Sequence, residues 1–218
     1  MKGVIFDFDG VLVDSMPDHY KAWKMAFKEV TDIEVNERMI YLLEGMRGND
    51  LVKKIFEQKN YDNYSIAERV NERKNKIFKH ILTPRAFDGV KELIEHLKCT
   101  KAVVSGSAKK DVEVLSDRTF GKNNFDVIIT ADDIDRGKPD PIAFITALNR
   151  MKINKAEAIV VENAPLGVEA ANKAGIQCII VLNNTPLHMK DFKSIISYDR
   201  IFKETKSATK LLENWCIR

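Results

Sequence analysis

Two carboxylates two residues apart, Asp7 and Asp9, interrupt the first apolar run of the chain, VIFDFDGVLVDS, at residues 4 to 15. Val4, Ile5, Phe6 and Phe8 favour a strand. Successive strand side chains point to opposite faces, so this spacing sets both acids on one side if the strand continues that far. A pair of acids in so apolar a setting is costly unless a cation or a cationic side chain offsets it. One carboxylate of such a pair can attack an electrophile while the other handles the proton, and a hard cation on oxygen ligands can hold both. That is the chemistry of aspartyl-phosphate formation. The same fragment also fits a plainer structure, a strand-end Asp capping a helix before an ordinary Asp-Gly turn.

Three later stretches carry groups that would complement it. VVSGSAKKD at 103 to 111 ends a strand in small hydroxyl residues, so that Ser105, Gly106 and Ser107 can offer hydroxyl and backbone N–H donors to a phosphate. A serine capping a surface helix would read the same way. RGKPDPIAF at 136 to 144 sets Lys138 before a helix, where its compact charge can neutralise a nucleophile and phosphoryl oxygens alike. VVENAPLGVEAANKAG at 160 to 175 reads as strand, acidic turn and helix, with Glu162 and Asn163 at the turn.

The elements that must position these groups follow from periodicity. After Ser15 the pattern turns helical for some seventy residues. Pro17 near a helix start, with Tyr20, Trp23, Met25, Phe27 and Val30, predicts a first amphipathic helix. Further helices are expected at 35 to 43, 49 to 59 and 63 to 82. From Thr83-Pro84 onward, short apolar strands (KAVVSG, DVIIT, AIVVE, CIIVL and a weaker DRIF) alternate with helices near 88 to 98, 108 to 118, 140 to 151, 166 to 174 and 207 to 215. Such alternation predicts an α/β fold, a doubly wound, Rossmann-like parallel sheet with helices on both faces. A four-helix segment interrupts it after the first strand. The expected organisation is therefore an α/β core from residues 1–14 and 84–218 with a helical cap from 15–83. Ligands of such sheets sit at the strands' C-terminal ends, where these polar residues collect.

Composition narrows the function classes. Among 218 residues, 35 basic and 32 acidic side chains leave a formal charge of +3 with no long basic block, so nucleic acid is not implied. No apolar stretch approaches the roughly 20 residues of a membrane span. MKGVIF leads directly into the acidic strand and leaves no removable leader, which predicts a cytoplasmic protein. Cys99, Cys178 and Cys216 are odd in number and far apart, and are expected as reduced thiols, with Cys178 a small core residue. The closing helix, with Leu211, Leu212 and Trp215, reads as packing instead of an interface, so a monomer is expected.

Taken in order, the four motifs resemble those of the haloacid dehalogenase-like hydrolases. The resemblance implies that Asp7 is the nucleophile, Asp9 the general acid/base, Ser105 a phosphoryl ligand and Lys138 the stabilising cation. By their own donors Gly106 and Ser107 would join the phosphate site, and Lys109 would add charge nearby. Mg²⁺ would be held by Asp7, Asp9, Glu162 and Asn163, although Asn163 stands where the family commonly supplies an Asp, and an amide oxygen brings no charge. The dehalogenases that name the family lack the second Asp, so Asp9 points to phosphoryl transfer.

The helical insert resembles the cap of the β-phosphoglucomutase type. There His19 and Trp23, in DHYKAW, and Lys74, in RKN, would gate the acid/base residue and meet the substrate. The cap's short Gly-led turn reads LEGMRGND, with Arg47 one place early for a substrate-binding Arg and Gly48 where that Arg should stand; this counts against a mutase. Loops at 44 to 50 and 60 to 64 are expected to set specificity. The implied activity is a Mg²⁺-dependent phosphatase for a small phosphorylated metabolite, a sugar phosphate foremost. The alternatives are a sugar-phosphate isomerase and a binding protein that keeps the fold without its chemistry.

Overall fold

The computed structural model describes residues 1–83, 85–192 and 201–217. Pro84, at the expected boundary between helical insert and core, and the first two residues of DRIF lie outside them. Six parallel strands form one sheet: β1 (Gly3–Asp7), β2 (Thr100–Val104), β3 (Val127–Ile129), β4 (Ala158–Glu162), β5 (Gln177–Val181) and β6 (Ile201–Phe202), in the order β3-β2-β1-β4-β5-β6. The chain winds outward from β1 to β3, then crosses back to β4. The reversal between β1 and β4 is the point at which such sheets open a ligand crevice. β1 ends on Asp7, β4 ends on Glu162, and β2 ends one residue before Ser105. Topology alone thus gathers three of the four motifs.

Between β1 and β2 the helices α1 (Met16–Thr31), α2 (Glu37–Leu42), α3 (Gly48–Lys59) and α4 (Ala67–Ile81) pack on one another. Asn36 caps α2 by accepting a hydrogen bond from the Met39 N–H at 2.9 Å, and Asn60 in the left-handed region ends α3. α1 buries Met16, His19, Ala22, Trp23, Ala26 and Phe27, a stripe at helical spacing. Met25, expected on that stripe, lies a quarter-turn away and is 39 % exposed. These helices have an apolar cluster of their own, in which Trp23, Phe27, Ile40, Val52, Ile55, Phe56, Val70 and Ile77 meet.

The core sheet is covered on both faces by α5 (Val90–His96), α6 (Lys109–Phe120), α7 (Ile142–Met151), α8 (Pro165–Ala174) and α9 (Thr209–Ile217). Alternate strand residues divide between the faces. Val4, Phe6, Ile159, Val161, Ile179 and Val181 pack with α5, α6 and Leu212 of α9, whereas Ile5, Val160, Cys178 and Ile180 pack with α7 and α8. Both sides being buried, the strands read as continuous apolar runs. Trp215 anchors the last helix by donating from Nε1 to the Gly3 carbonyl at 3.2 Å.

The expectation of reduced thiols needs correction at two positions. Cys99, just before β2, and Cys216, in α9, are joined by a disulfide with Cα atoms 5.2 Å apart. Their separation of 117 residues hid a proximity that arises only because α9 returns across the sheet. The bond lies at the N-terminal end of β2, opposite the crevice. Cys178 is buried in the core as expected.

Phe27 is fully buried among Trp23, Phe56 and their neighbours. Phe27→Ala should therefore lower the unfolding free energy by about 3–5 kcal/mol in urea titrations, the usual cost of emptying an aromatic site. A loss below about 1 kcal/mol would mean that the helical segment has no tight core.

Candidate active site

β1 stops at Asp7, so the two acids do not share a strand. A tight turn carries Asp9 instead: the Leu12 and Val13 N–H groups donate to the Phe8 carbonyl, and Gly10, at φ 78°, donates to the Val13 carbonyl at 2.8 Å. Glycine reaches this conformation without steric penalty. Both carboxylates nevertheless line one cavity of about 460 Å³ between the strand ends and the helical layer.

Their surroundings differ sharply. Asp9 Oδ1 accepts from the Ser15 hydroxyl at 2.5 Å and lies 3.1 Å from His19 Nε2; Oδ2 accepts from Ser105 Oγ at 3.2 Å and Ser107 Oγ at 3.0 Å. Burial pushes this carboxyl up, but His19 and the hydroxyl donors outweigh it and hold the group well below the usual carboxylate range. A carboxylate only accepts, so His19 presents Nε2–H to it. The imidazole stacks on Phe78 with ring centroids 4.0 Å apart, and burial together with Lys74 lowers its own pKa.

Asp7 faces the ammonium of Lys138, which also contacts Glu162. All three are buried. Burial raises the Asp7 pKa well above normal, Lys138 opposes this and Glu162 adds to it. Burial would lower Lys138, but its two carboxylate partners raise it, so it stays charged. The other Glu162 oxygen accepts from the backbone N–H of Asn163 at 2.9 Å and of Ala164 at 3.1 Å, at the start of α8. This close fit needs Gly167, where a Cβ would lie 1.8 Å from Glu162 Oε1.

Glu44, in the LEGMRGND turn, was not singled out by sequence. It reaches in from the loop after α2 and accepts two hydrogen bonds from Asn163 Nδ2, both at 3.0 Å. Burial, then Asp7, raises its pKa, with Asn163 opposing. Asp7, Asp9, Glu44 and Glu162 are thus four buried carboxylates with one lysine in contact. Asn163 Oδ1, meanwhile, is a buried acceptor with no hydrogen-bond partner. Among the described residues no three His, Cys, Asp or Glu side chains stand ready at ligating geometry. The excess of negative charge and the orphaned amide oxygen still fit a hard divalent cation.

The remaining expected residues divide. Trp23 and Lys74 join His19 on the cavity wall; the Lys74 ammonium lies 5.3 Å from the Trp23 ring centre and 4.6 Å from that of Phe78, and burial lowers its pKa to about 8. Gly106 lines the cavity beside Ser107, pressed so closely to the Gly45 carbonyl that a Cβ would lie 3.1 Å from it. Arg47 borders the cavity but donates to the Asp135 carbonyl at 2.5 Å, so it clasps the helical layer to the core. Lys109 stands apart: its backbone N–H binds Asp132 at 2.7 Å and its ammonium faces Glu113 at 4.0 Å on the surface.

Sequence reasoning also missed two supports of the turn. Asn183 donates to the Gly10 carbonyl at 2.8 Å and to Thr205 Oγ1 at 2.7 Å, and Thr205 donates to the Val11 carbonyl at 3.0 Å. The Asn183-Asn184 pair after β5, at positive φ, was the available signal for an irregular polar turn.

Comparison with known proteins identifies the family. The profile of haloacid dehalogenase-like hydrolases matches residues 4–181. A phosphorylated carbohydrates phosphatase of Thermotoga maritima is 29 % identical over 82 % of this chain and 84 % of its own. The β-phosphoglucomutase of Bacillus subtilis is 26 % identical over 99 % and 96 % respectively. A provisionally assigned β-phosphoglucomutase structure from Bacteroides vulgatus superposes with a TM-score of 0.88 at 27 % identity, covering 100 % of this chain and 91 % of that one. With its motifs seated at the ends of β1, β2 and β4 and the family profile spanning most of its length, the chain belongs to the haloacid dehalogenase-like hydrolases.

Proposed function

We propose that the protein is a phosphatase of small phosphorylated metabolites, a sugar phosphate foremost, working through a phosphorylated Asp7. The observation that carries this reading is that Asp7 and Asp9 line one cavity in opposite electrostatic settings, Asp7 against the Lys138 ammonium and Asp9 against the Ser105 hydroxyl. Relatives named for phosphorylated carbohydrates support the substrate class. So does the cavity wall, where Asn49, Lys53, Asn71, Lys74 and Asn75 offer amide and ammonium groups to hydroxyls and phosphate.

In the first half-reaction an Asp7 oxygen attacks phosphorus, the ester P–O bond breaks, and Asp9 passes to the leaving oxygen the proton that it takes from water in the second half of the preceding turnover. In the second, water attacks phosphorus while Asp9, now a carboxylate, takes a water proton; the P–O bond to Asp7 breaks and phosphate leaves. The ionised Asp9 held by Ser15, His19, Ser105 and Ser107 is the form that the second half needs. Lys138 keeps Asp7 close to a positive charge throughout. Asp7, Asp9 and Asn163 would hold Mg²⁺, with Glu162 beside them tied to Lys138. Bound there, the ion would neutralise the phosphoryl oxygens as negative charge is brought to them. The helical layer acts as a cap over the cavity and limits water.

A second reading, a sugar-phosphate mutase, is favoured by the alignment of the Bacillus subtilis β-phosphoglucomutase over 99 % of this chain. Against it, Arg47 is engaged with Asp135, and Gly48 is packed so that a Cβ would lie 2.0 Å from Asn71 Oδ1.

Phosphate release from a panel of sugar phosphates, with Mg²⁺ varied, tests the main reading; β-glucose 1-phosphate with a trace of glucose 1,6-bisphosphate is included. Metal-dependent phosphate release supports it, and accumulation of glucose 6-phosphate with little free phosphate replaces it by the mutase. Asp9→Asn should lower kcat by roughly 10²–10⁴, the usual worth of a proton-transfer residue, and Asp7→Asn by more. A tenth of parental activity in Asp7→Asn would contradict the covalent route. Lys74, with its pKa near 8, is charged in the free protein below that pH and neutral above it. The kcat/KM for an anionic substrate should therefore fall as pH rises through about 8, and Lys74→Met should remove that limb of the profile.

A further inference from the structure

We propose that Glu44 is a positioning residue for the metal site: it fixes the Asn163 amide so that Oδ1 is presented to a divalent cation. This rests on the metal-dependent reading above. Both Glu44 oxygens lie 3.0 Å from Asn163 Nδ2. Turning the amide over would set Oδ1 against the carboxylate, acceptor facing acceptor, so Glu44 selects the orientation. It leaves Oδ1 buried with no hydrogen-bond partner, in a site that already holds Asp7, Asp9 and Glu162.

The fit around this pair is close. A Cβ on Gly10 would lie 2.0 Å from Asn163 Nδ2 and 3.2 Å from Glu44 Oε1, so the glycine of the Asp9 turn makes room for both. Glu44 comes from the helical layer, whereas Asn163 belongs to the core. The loop that bears Glu44 is docked across the site: the Lys138 N–H donates to the Gly45 carbonyl at 3.1 Å, and Arg47 holds Asp135. Cation affinity should accordingly depend on the layer being seated, and a bound cation should favour the seated position.

The test is Mn²⁺ titration of the full chain after chelator treatment, by calorimetry, together with thermal unfolding without metal. Glu44→Ala should weaken Mn²⁺ binding 10- to 100-fold, as loss of a partner behind a metal ligand usually does, while Glu44→Gln, which keeps an acceptor, should stay within a few-fold of the parent. Asn163→Asp would set its carboxylate against that of Glu44 across about 3 Å; its unfolding midpoint should lie about 4 °C below that of the Asn163→Asp/Glu44→Gln double variant. Glu44→Ala within twofold of the parent's affinity, or no difference between the single and double variants, overturns the inference, as does a parent that binds no Mn²⁺. Phosphate release from the same preparations separates the two claims. The expected affinity pattern without phosphate release from any sugar phosphate refutes the phosphatase reading alone; release with affinity unchanged in Glu44→Ala refutes the positioning role alone.

Discussion

The contact on which the site depends is the buried Lys138 ammonium between Asp7 and Glu162. Removing one partner from such a group typically costs about 3–5 kcal/mol, because an uncompensated charge is left in a poorly solvated place. The arrangement is therefore all or nothing. The elements around it follow that demand: β1 and β4 lie side by side so that their last residues meet, the Asn163 and Ala164 N–H groups hold the far oxygen of Glu162, and Gly167 leaves space for it. In the proposed mechanism the same lysine would also stabilise charge that moves onto a phosphoryl group.

Around this contact the two aspartates are driven apart. Asp7 is raised by burial and a neighbouring carboxylate, whereas Asp9, despite its burial, is lowered by the His19 imidazole and the Ser15 and Ser107 hydroxyls. Different environments can give like groups different roles, which is the physical basis of the nucleophile and proton carrier in the proposed mechanism. His19, which lowers Asp9, comes from α1, so the charge state of Asp9 is tied to the helical layer. Glu44 and Arg47 tie that layer to the core a second and third time.

Those ties were the least legible part of the chain. His19, Trp23 and Lys74 were flagged because their strings resemble a known cap, and all three reach the cavity. Arg47 was flagged for substrate and instead binds a core carbonyl, since its position at the start of α3 directs it across the crevice to Asp135. Lys109 was placed by charge alone, but the first residue of α6 faces solvent and pairs within its own helix. Glu44 carried no signal beyond its own charge; only the docking of its loop sets it against Asn163.

By itself the sequence determined the winding of the sheet and the placing of three of the four motifs at its C-terminal ends. Both depend on short-range periodicity: strands of four or five apolar residues separated by helices have few ways to fold, and strand-end residues go where the strands end. Asp7, Ser105 and Glu162 meet for that reason. Tertiary structure alone decided what lies far apart in the chain. Asp9 reaches the cavity by a turn held by Asn183 and Thr205, Cys99 finds Cys216 across 117 residues, and Glu44 crosses to Asn163. No local pattern encodes such pairs, because each depends on where two separately stable elements come to rest against one another.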